Sequence, residues 1–262
     1  MMVRPSKETR ILMKILTRTT LLVSLFAIGL GTTFASSTDE LQITSGGFTA
    51  TITDSTTLPL GSFTCTGTGC YSVANTTGIV GDSNGNAGTV TAGGDINGWV
   101  ISVTSGTSNS PGLVPYGIDI SSLTAACDAS TCGALDIQYS DINFSTAVPV
   151  NGFQTTYSAT FGTGTGSTSE SAYFSNSNTL FAETTLIGTV GPFTTSNNGS
   201  ATGGAIAAVP DYSLTLDQVF TGTQGVSFSV DGNITVPEPG AVVLFGTVLV
   251  FCATKLRRRL VS

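Results

Sequence analysis

A period of two runs through the middle of this chain. Apolar residues alternate with Thr in "FTATITD" (residues 48–54), where Phe48, Ala50 and Ile52 share a face. The same pattern sets Trp99, Ile101 and Val103 in phase in "GWVISVTS", and Leu135, Ile137 and Tyr139 in "ALDIQYS". It recurs at Phe153, Tyr157 and Phe161, at Tyr212, Leu214 and Leu216, and at Val226, Phe228 and Val230. Side chains of a strand point to opposite faces in turn, so alternation with β-branched and aromatic residues predicts half-buried antiparallel strands. No segment of the body repeats at 3.6 residues. The expected fold is all-β, an antiparallel β-sandwich of eight to ten strands, with a jelly-roll arrangement among its forms. Gly- and Asn-rich residues 81–88, 162–171 and 195–204 are expected as loops, because both residue types tolerate positive φ. No charge run or Pro-rich linker divides residues 36–236, which are expected to form one domain.

Charge narrows the function. The chain has nine Lys and Arg, sixteen Asp and Glu, and no His. Five cations precede residue 19 and four follow residue 254, so the 201 residues of the body hold none. Fourteen of the carboxylates lie there. Such a body offers phosphate no partner, which argues against nucleic acid. It also lacks a Ser–His or Cys–His pair, a Schiff-base lysine and a cationic clamp. No enzymatic activity and no cofactor are expected. Two carboxylates alone can hydrolyse a glycosidic bond, so a carboxylate-only glycosidase stays open in principle. No pair stands out, and most of the acids are expected as solvated charges on turns and strand faces. Asp82, Asn84 and Asn86 have the alternate spacing of a calcium loop, but Ala87 and Gly93 replace its glycine and its glutamate, which favours a plain turn. Asn75, Asn143, Asn198 and Asn233 are formal glycosylation matches that a Thr-rich chain produces readily. Trp99 and Tyr116 are candidates for stacking on sugar rings, against a core reading for Trp99 from its phase.

The cysteines pair by spacing: Cys65 with Cys70, and Cys127 with Cys132. In an oxidising compartment these form two short-range disulfides. A zinc site would need other spacing and all four thiolates at one point.

The two ends read as addresses. The apolar run 21–30 follows the basic residues and leads to "GTTFASS", which predicts a secretory signal cleaved between Ala35 and Ser36. Met13 offers a more ordinary start than Met1. Near the other end, Pro237-Glu238-Pro239-Gly240 opens an uncharged run to residue 254, followed by Lys255, Arg257, Arg258 and Arg259. Fifteen residues rise about 22 Å as a helix, short of the ~30 Å hydrocarbon core. Snorkelling and bilayer thinning make a marginal span, and the cations hold its end in the cytoplasm. Proline fixes φ and pushes the residue before it toward extended backbone, so the Pro-Glu-Pro segment is expected to be extended and accessible.

Pro-Glu-Pro, an apolar helix and an Arg-rich end, in this order and behind a secretory signal, resemble the PEP-CTERM sorting domain of Gram-negative bacteria. The resemblance covers residues 237–262. It implies a membrane transpeptidase of the exosortase type that recognises Pro237, Glu238 and Pro239 and processes the tail. It also implies export through the Sec translocon, an inner-membrane intermediate held by the C-terminal helix, and release to the cell surface or the exopolysaccharide matrix. The expected organisation is a signal over 1–35, a body over 36–236 and a sorting signal over 237–262. The main expectation is a non-enzymatic exported protein of the surface or biofilm matrix. The alternative is a carbohydrate-binding module or adhesin, and the third is the glycosidase.

Overall fold

The computed structural model describes residues 38–54, 63–66, 82, 86–108, 117–144, 152–204 and 211–235, all within the unit spanning Phe34–Ser262. Thirteen strands are formed among them, more than the eight to ten expected. They are β1 (Glu40–Ser45), β2 (Phe48–Thr53), β3 (Phe63–Thr66), β4 (Thr89–Ile96), β5 (Trp99–Ser108), β6 (Gly117–Cys127) and β7 (Leu135–Phe144). There follow β8 (Gln154–Phe161), β9 (Gly166–Ser175), β10 (Thr185–Phe193), β11 (Asn197–Thr202), β12 (Tyr212–Gly222) and β13 (Ser227–Thr235). The described residues contain no helix.

The strands make two antiparallel sheets, one ordered β10-β9-β12-β7-β1-β2-β3 and the other β11-β8-β13-β6-β5-β4. The chain passes from sheet to sheet at β3–β4, β6–β7, β7–β8, β8–β9, β10–β11, β11–β12 and β12–β13. The inward rows meet between the sheets. Leu41 and Ile43 of β1, Trp99 and Ile101 of β5, Ile137 and Tyr139 of β7, and Phe228 and Val230 of β13 are all buried. Aromatic rings gather near the two ends of β8. Phe153, Phe174, Phe144 and Tyr212 cluster with centroids 5.1–5.8 Å apart at one end, while Phe161, Phe220 and Trp99 surround Phe228 at the other. Offset and edge contacts of this kind add to the area that each ring buries.

Two of the expected loops are strands. Residues 166–171 belong to β9 and residues 197–202 to β11. Both are Ser-, Asn- and Gly-rich, with few apolar positions to mark a face. Pairing with β12 and β8 supplies what propensity lacks, because strand formation answers to neighbours more than to composition.

Two hairpins turn in two residues, Gly46-Gly47 and Asn97-Gly98, each with positive φ throughout. That geometry matches the right-handed twist of the flanking strands. The Asn97 amide reaches across and donates to Ser45 Oγ at 3.3 Å, and Ser45 Oγ donates to the Ala134 carbonyl at 3.0 Å. Cys127 and Cys132 are bonded, with Cα atoms 5.9 Å apart. The loop they close leads to Gly133, whose carbonyl accepts the Trp99 indole N–H at 2.8 Å. The disulfide therefore pins the segment that bonds the largest fully buried side chain, and chain-entropy reasoning assigns so short a loop about 2 kcal/mol. Cys65 lies on β3, and its expected partner Cys70 lies outside the described residues.

Candidate functional site

Alternation that sends one row into the core sends the next row to solvent. On the six-stranded sheet the outward rows of β11, β8, β13 and β6 are mostly polar. A cavity of about 420 Å³ opens there, lined by Thr156, Ser158, Asn198, Ser200, Asp231 and Asn233. A second, of about 230 Å³, adjoins it and is lined by Thr107, Asp119, Asn233 and Thr235 among others. Asn233 borders both, so the two form one groove.

The groove is held in shape by its own side chains. Thr156 Oγ1 donates to Asn233 Oδ1 at 3.0 Å, which leaves the Asn233 amide N–H₂ for a ligand. Asp231 Oδ1 accepts the Ser122 backbone N–H at 2.6 Å, across a register shift between β13 and β6. Ser122 has φ 54°, and the carboxylate holds it there. Burial, and then the charge of Asp231, push the Asp119 carboxyl up to about 6. Tyr157 contributes backbone to the lining, while its ring is buried and its hydroxyl bonds Thr168. No aromatic ring and no cation line the described groove. What remains is a dense set of hydroxyl, amide and carboxylate groups, suited to a ligand recognised through many hydroxyls.

The outer face of the seven-stranded sheet differs. Asp136 of β7 and Asp217 of β12 share a hydrogen bond there, and Asp217 is pushed well above the usual carboxylate range by burial, by that bond, and by the charges of Asp136 and Glu183. Glu183 Oε1 accepts from Gln138 Nε2 at 2.6 Å, and Tyr173 lies close enough to feel Glu183, Asp217 and Asp136.

Several acids are not where the sequence reading puts them. Asp39, Asp54, Asp82, Asp141 and Glu170 are buried rather than solvated. Asp141 accepts from Thr38 Oγ1, the Ile142 N–H and Ser108 Oγ at 2.5–2.8 Å. Tyr139 donates to Asp39 at 2.6 Å, and Gly88 N–H to Asp54 at 2.7 Å. Glu170 accepts from Thr155 Oγ1 at 2.7 Å and Gln218 Nε2 at 2.8 Å. Hydroxyls and amides of neighbouring strands replace water, which is how a cation-free interior tolerates acids. Trp99 is wholly buried and so does not stack on a sugar; Tyr116 lies outside the described residues. Asp82 tethers its segment to β4 by accepting from Thr91 N and Oγ1, and Asn84 lies outside. Among the described residues no three His, Cys, Asp or Glu side chains converge as metal ligands. Asn143 is spent in a reciprocal pair with Asn178.

Asn198 and Asn233 first drew notice only as glycosylation matches. Alternation with Val230 and Phe228 marks Asn233 as outward, but Asn198 falls in an expected loop, and the groove is made by strands far apart in sequence, so its other members carry no local signal. The expected processing and anchoring residues, Ala35, Ser36, Pro237, Glu238, Pro239, Gly240, Lys255, Arg257, Arg258 and Arg259, lie outside the described residues, as does Asn75. Among the described residues no helix is long and apolar enough to cross a membrane.

No family model matches the chain, and no curated protein does. Solved structures similar to it include a CBM61 module in complex with β-1,4-galactotriose, at 9% identity and TM-score 0.28, over 53% of this chain and 88% of that one. The C-terminal CBM6 of LamC from Zobellia galactanivorans is 15% identical at TM-score 0.25, over 43% of this chain and 79% of that one. A CBM22–GH10 xylanase fragment from Clostridium thermocellum, complexed with xylohexaose, is 17% identical at TM-score 0.28, over 54% of this chain and 26% of that one.

Proposed function

We propose that this chain is a non-enzymatic exported protein whose β-sandwich binds polysaccharide of the cell surface or matrix in the groove of the six-stranded sheet. The observation that carries the binding role is the groove, a polar surface of hydroxyls, amides and two carboxylates, with no cation among its described residues. Export rests on the sequence: a signal ending at Ala35, a body without cations, and the Pro237-Glu238-Pro239 tail with its basic end. The Sec translocon carries the body out, the apolar run 240–254 holds it in the inner membrane, and an exosortase-type transpeptidase acts on the tail. The short-range Cys127–Cys132 bond suits the oxidising space outside the cytoplasm.

One preparation tests both halves. Protein recovered from the matrix of the producing cell is expected to have an intact mass that starts near Ser36 and ends near Pro239. It is also expected to be retained on a column of that cell's own polysaccharide, without releasing reducing ends from it. A mass that includes Lys255–Arg259 would make the tail a permanent anchor. Passage through the column unretarded would remove the binding role, and steady release of reducing ends would replace it with hydrolysis.

A further inference from the structure

We infer that the groove takes an extended, uncharged polysaccharide lying across the strands, with one sugar ring to each strand. The inference rests on the glycan-binding reading above and adds the shape and charge class of the ligand.

Register is its first support. Ser200 of β11 faces Thr156 of β8, Thr156 faces Asn233 of β13, Asn233 faces Asp119 of β6, and Asp119 faces Thr107 of β5. Their inward neighbours, Thr155, Tyr157, Ile118 and Ile234, are buried, so these five side chains form one outward row. The row runs perpendicular to the strands with one polar group every ~4.8 Å, the spacing between neighbouring strands. A 1,4-linked pyranose chain with equatorial linkages at both ends is a flat ribbon that repeats at nearly this distance. It meets the row in phase. A 1,4-linked chain with one axial and one equatorial linkage, such as amylose, winds into a helix and leaves the row after a ring or two.

A second row supplies the other edge. Asn198 faces Ser158, and Ser158 faces Asp231. These residues sit two positions along their strands from the first row, about 7 Å away, near the width of a sugar ring. Both edges of a ribbon then meet hydrogen-bonding groups, while its faces meet no aromatic ring. Asn233 stands in the middle, shared by both cavities and oriented by Thr156.

Charge supplies the last term. Asp119 and Asp231 flank Asn233, and the described residues contain no Lys, Arg or His to offset them. A uronate- or sulfate-bearing chain would bring like charge against both carboxylates, which is unfavourable at such range. Hydroxyls of a neutral chain instead donate to them.

Affinity electrophoresis of the full-length chain tests this directly. Native gels would hold hydroxyethylcellulose (neutral, equatorially linked), amylose (neutral, helical) or alginate (anionic). Retardation is expected in hydroxyethylcellulose, at least tenfold weaker in amylose, and absent in alginate. Asn233→Ala is expected to weaken retardation about tenfold. Thr156→Val, which keeps the shape but loses the hydroxyl, is expected to weaken it several-fold. Tyr173→Ala, on the opposite face, is expected to leave it unchanged. Equal or stronger retardation in amylose or alginate would overturn the inference and leave glycan binding standing. So would retardation that survives both groove variants and disappears with Tyr173→Ala. No retardation in any gel, together with no retention on the cell's own polysaccharide, would overturn both.

Discussion

Lowering the pH from 8 to 5 will raise the melting temperature of this protein by about 10 °C, the reverse of ordinary acid destabilisation. Proteins usually lose stability in acid because ion-paired carboxylates must be protonated. Here the described body has no cation, and the resolved carboxyl shifts run upward. Glu170, wholly buried, is pushed to about 8 by burial, against the lowering effect of its bonds from Gln218 and Thr155. Asp39 and Asp217 are raised as well, both chiefly by burial. Asp39 also faces Asp141 and Asp54, and Asp217 faces Asp136 and Glu183. Between the ordinary Glu value of 4.5 and about 8, folded Glu170 keeps a proton that the unfolded chain has lost. Stability therefore falls as pH rises through that window, by up to about 1.4 kcal/mol per unit for each such group. Three units of pH at Glu170 alone approach 4 kcal/mol, and about 2–4 °C accompanies each kcal/mol in a chain of this size. Glu170→Gln makes the neutral form permanent. It should raise the melting temperature at pH 8, hardly change it at pH 5, and so flatten the profile. Scanning calorimetry across pH 5–8 checks both. A profile that rises with pH, or a Glu170→Gln variant with unchanged slope, would refute buried neutral acids as its cause.

Gly232→Ala will destabilise the sandwich by about 3 kcal/mol, although it adds a single methyl group. Glu170 projects from β9 through the core toward β13, and its Oε2 occupies the space where a side chain at residue 232 would start. The Gln218 amide nitrogen lies beside it. These are the ends of flexible side chains, so in an open site they would swing aside. Here Glu170 and Gln218 are both wholly buried, and the carboxyl is tied to Thr155 and Gln218. Moving it breaks those bonds and overpacks the interior, two of the recognised sources of large effects. Glu170→Ala empties the space that the new methyl needs. In that background Gly232→Ala should cost much less, giving a coupling of more than about 1 kcal/mol in a double-mutant cycle. Urea unfolding of the four proteins measures it. Additive effects would mean that the two sites do not meet.

How far the chain can be read without coordinates follows from which signals are local. The rows of β2, β5, β7, β8, β12 and β13 were legible because Trp99, Ile137, Tyr157 or Phe228 marks an inward phase every second residue. The strands β9 and β11 were not, since "GSTSESAYFS" and "NNGSAT" are half or wholly made of turn-forming residues and are fixed by their partners. Trp99 belongs to the core, as its phase with Ile101 and Val103 predicts. The buried acids were invisible for the opposite reason. Glu170 sits in phase with Ala172 and Phe174, but the hydroxyl and amide that neutralise its burial come from Thr155 and Gln218, on two other strands. The groove is likewise a product of register. Asn198 and Asn233 are 35 residues apart and share its lining because each flanks β8.

The central claim is that polysaccharide meets this protein along the outward row of the six-stranded sheet. Backbone amide shifts in a ¹H–¹⁵N spectrum, followed while a soluble cello-oligosaccharide is added, read that claim residue by residue. The account predicts the largest movements at Thr156, Ser158, Ser200, Asp231 and Asn233, with Gln138, Ser171 and Asp217 on the other sheet still. Movement centred on the second set, or none at saturating sugar, would contradict it.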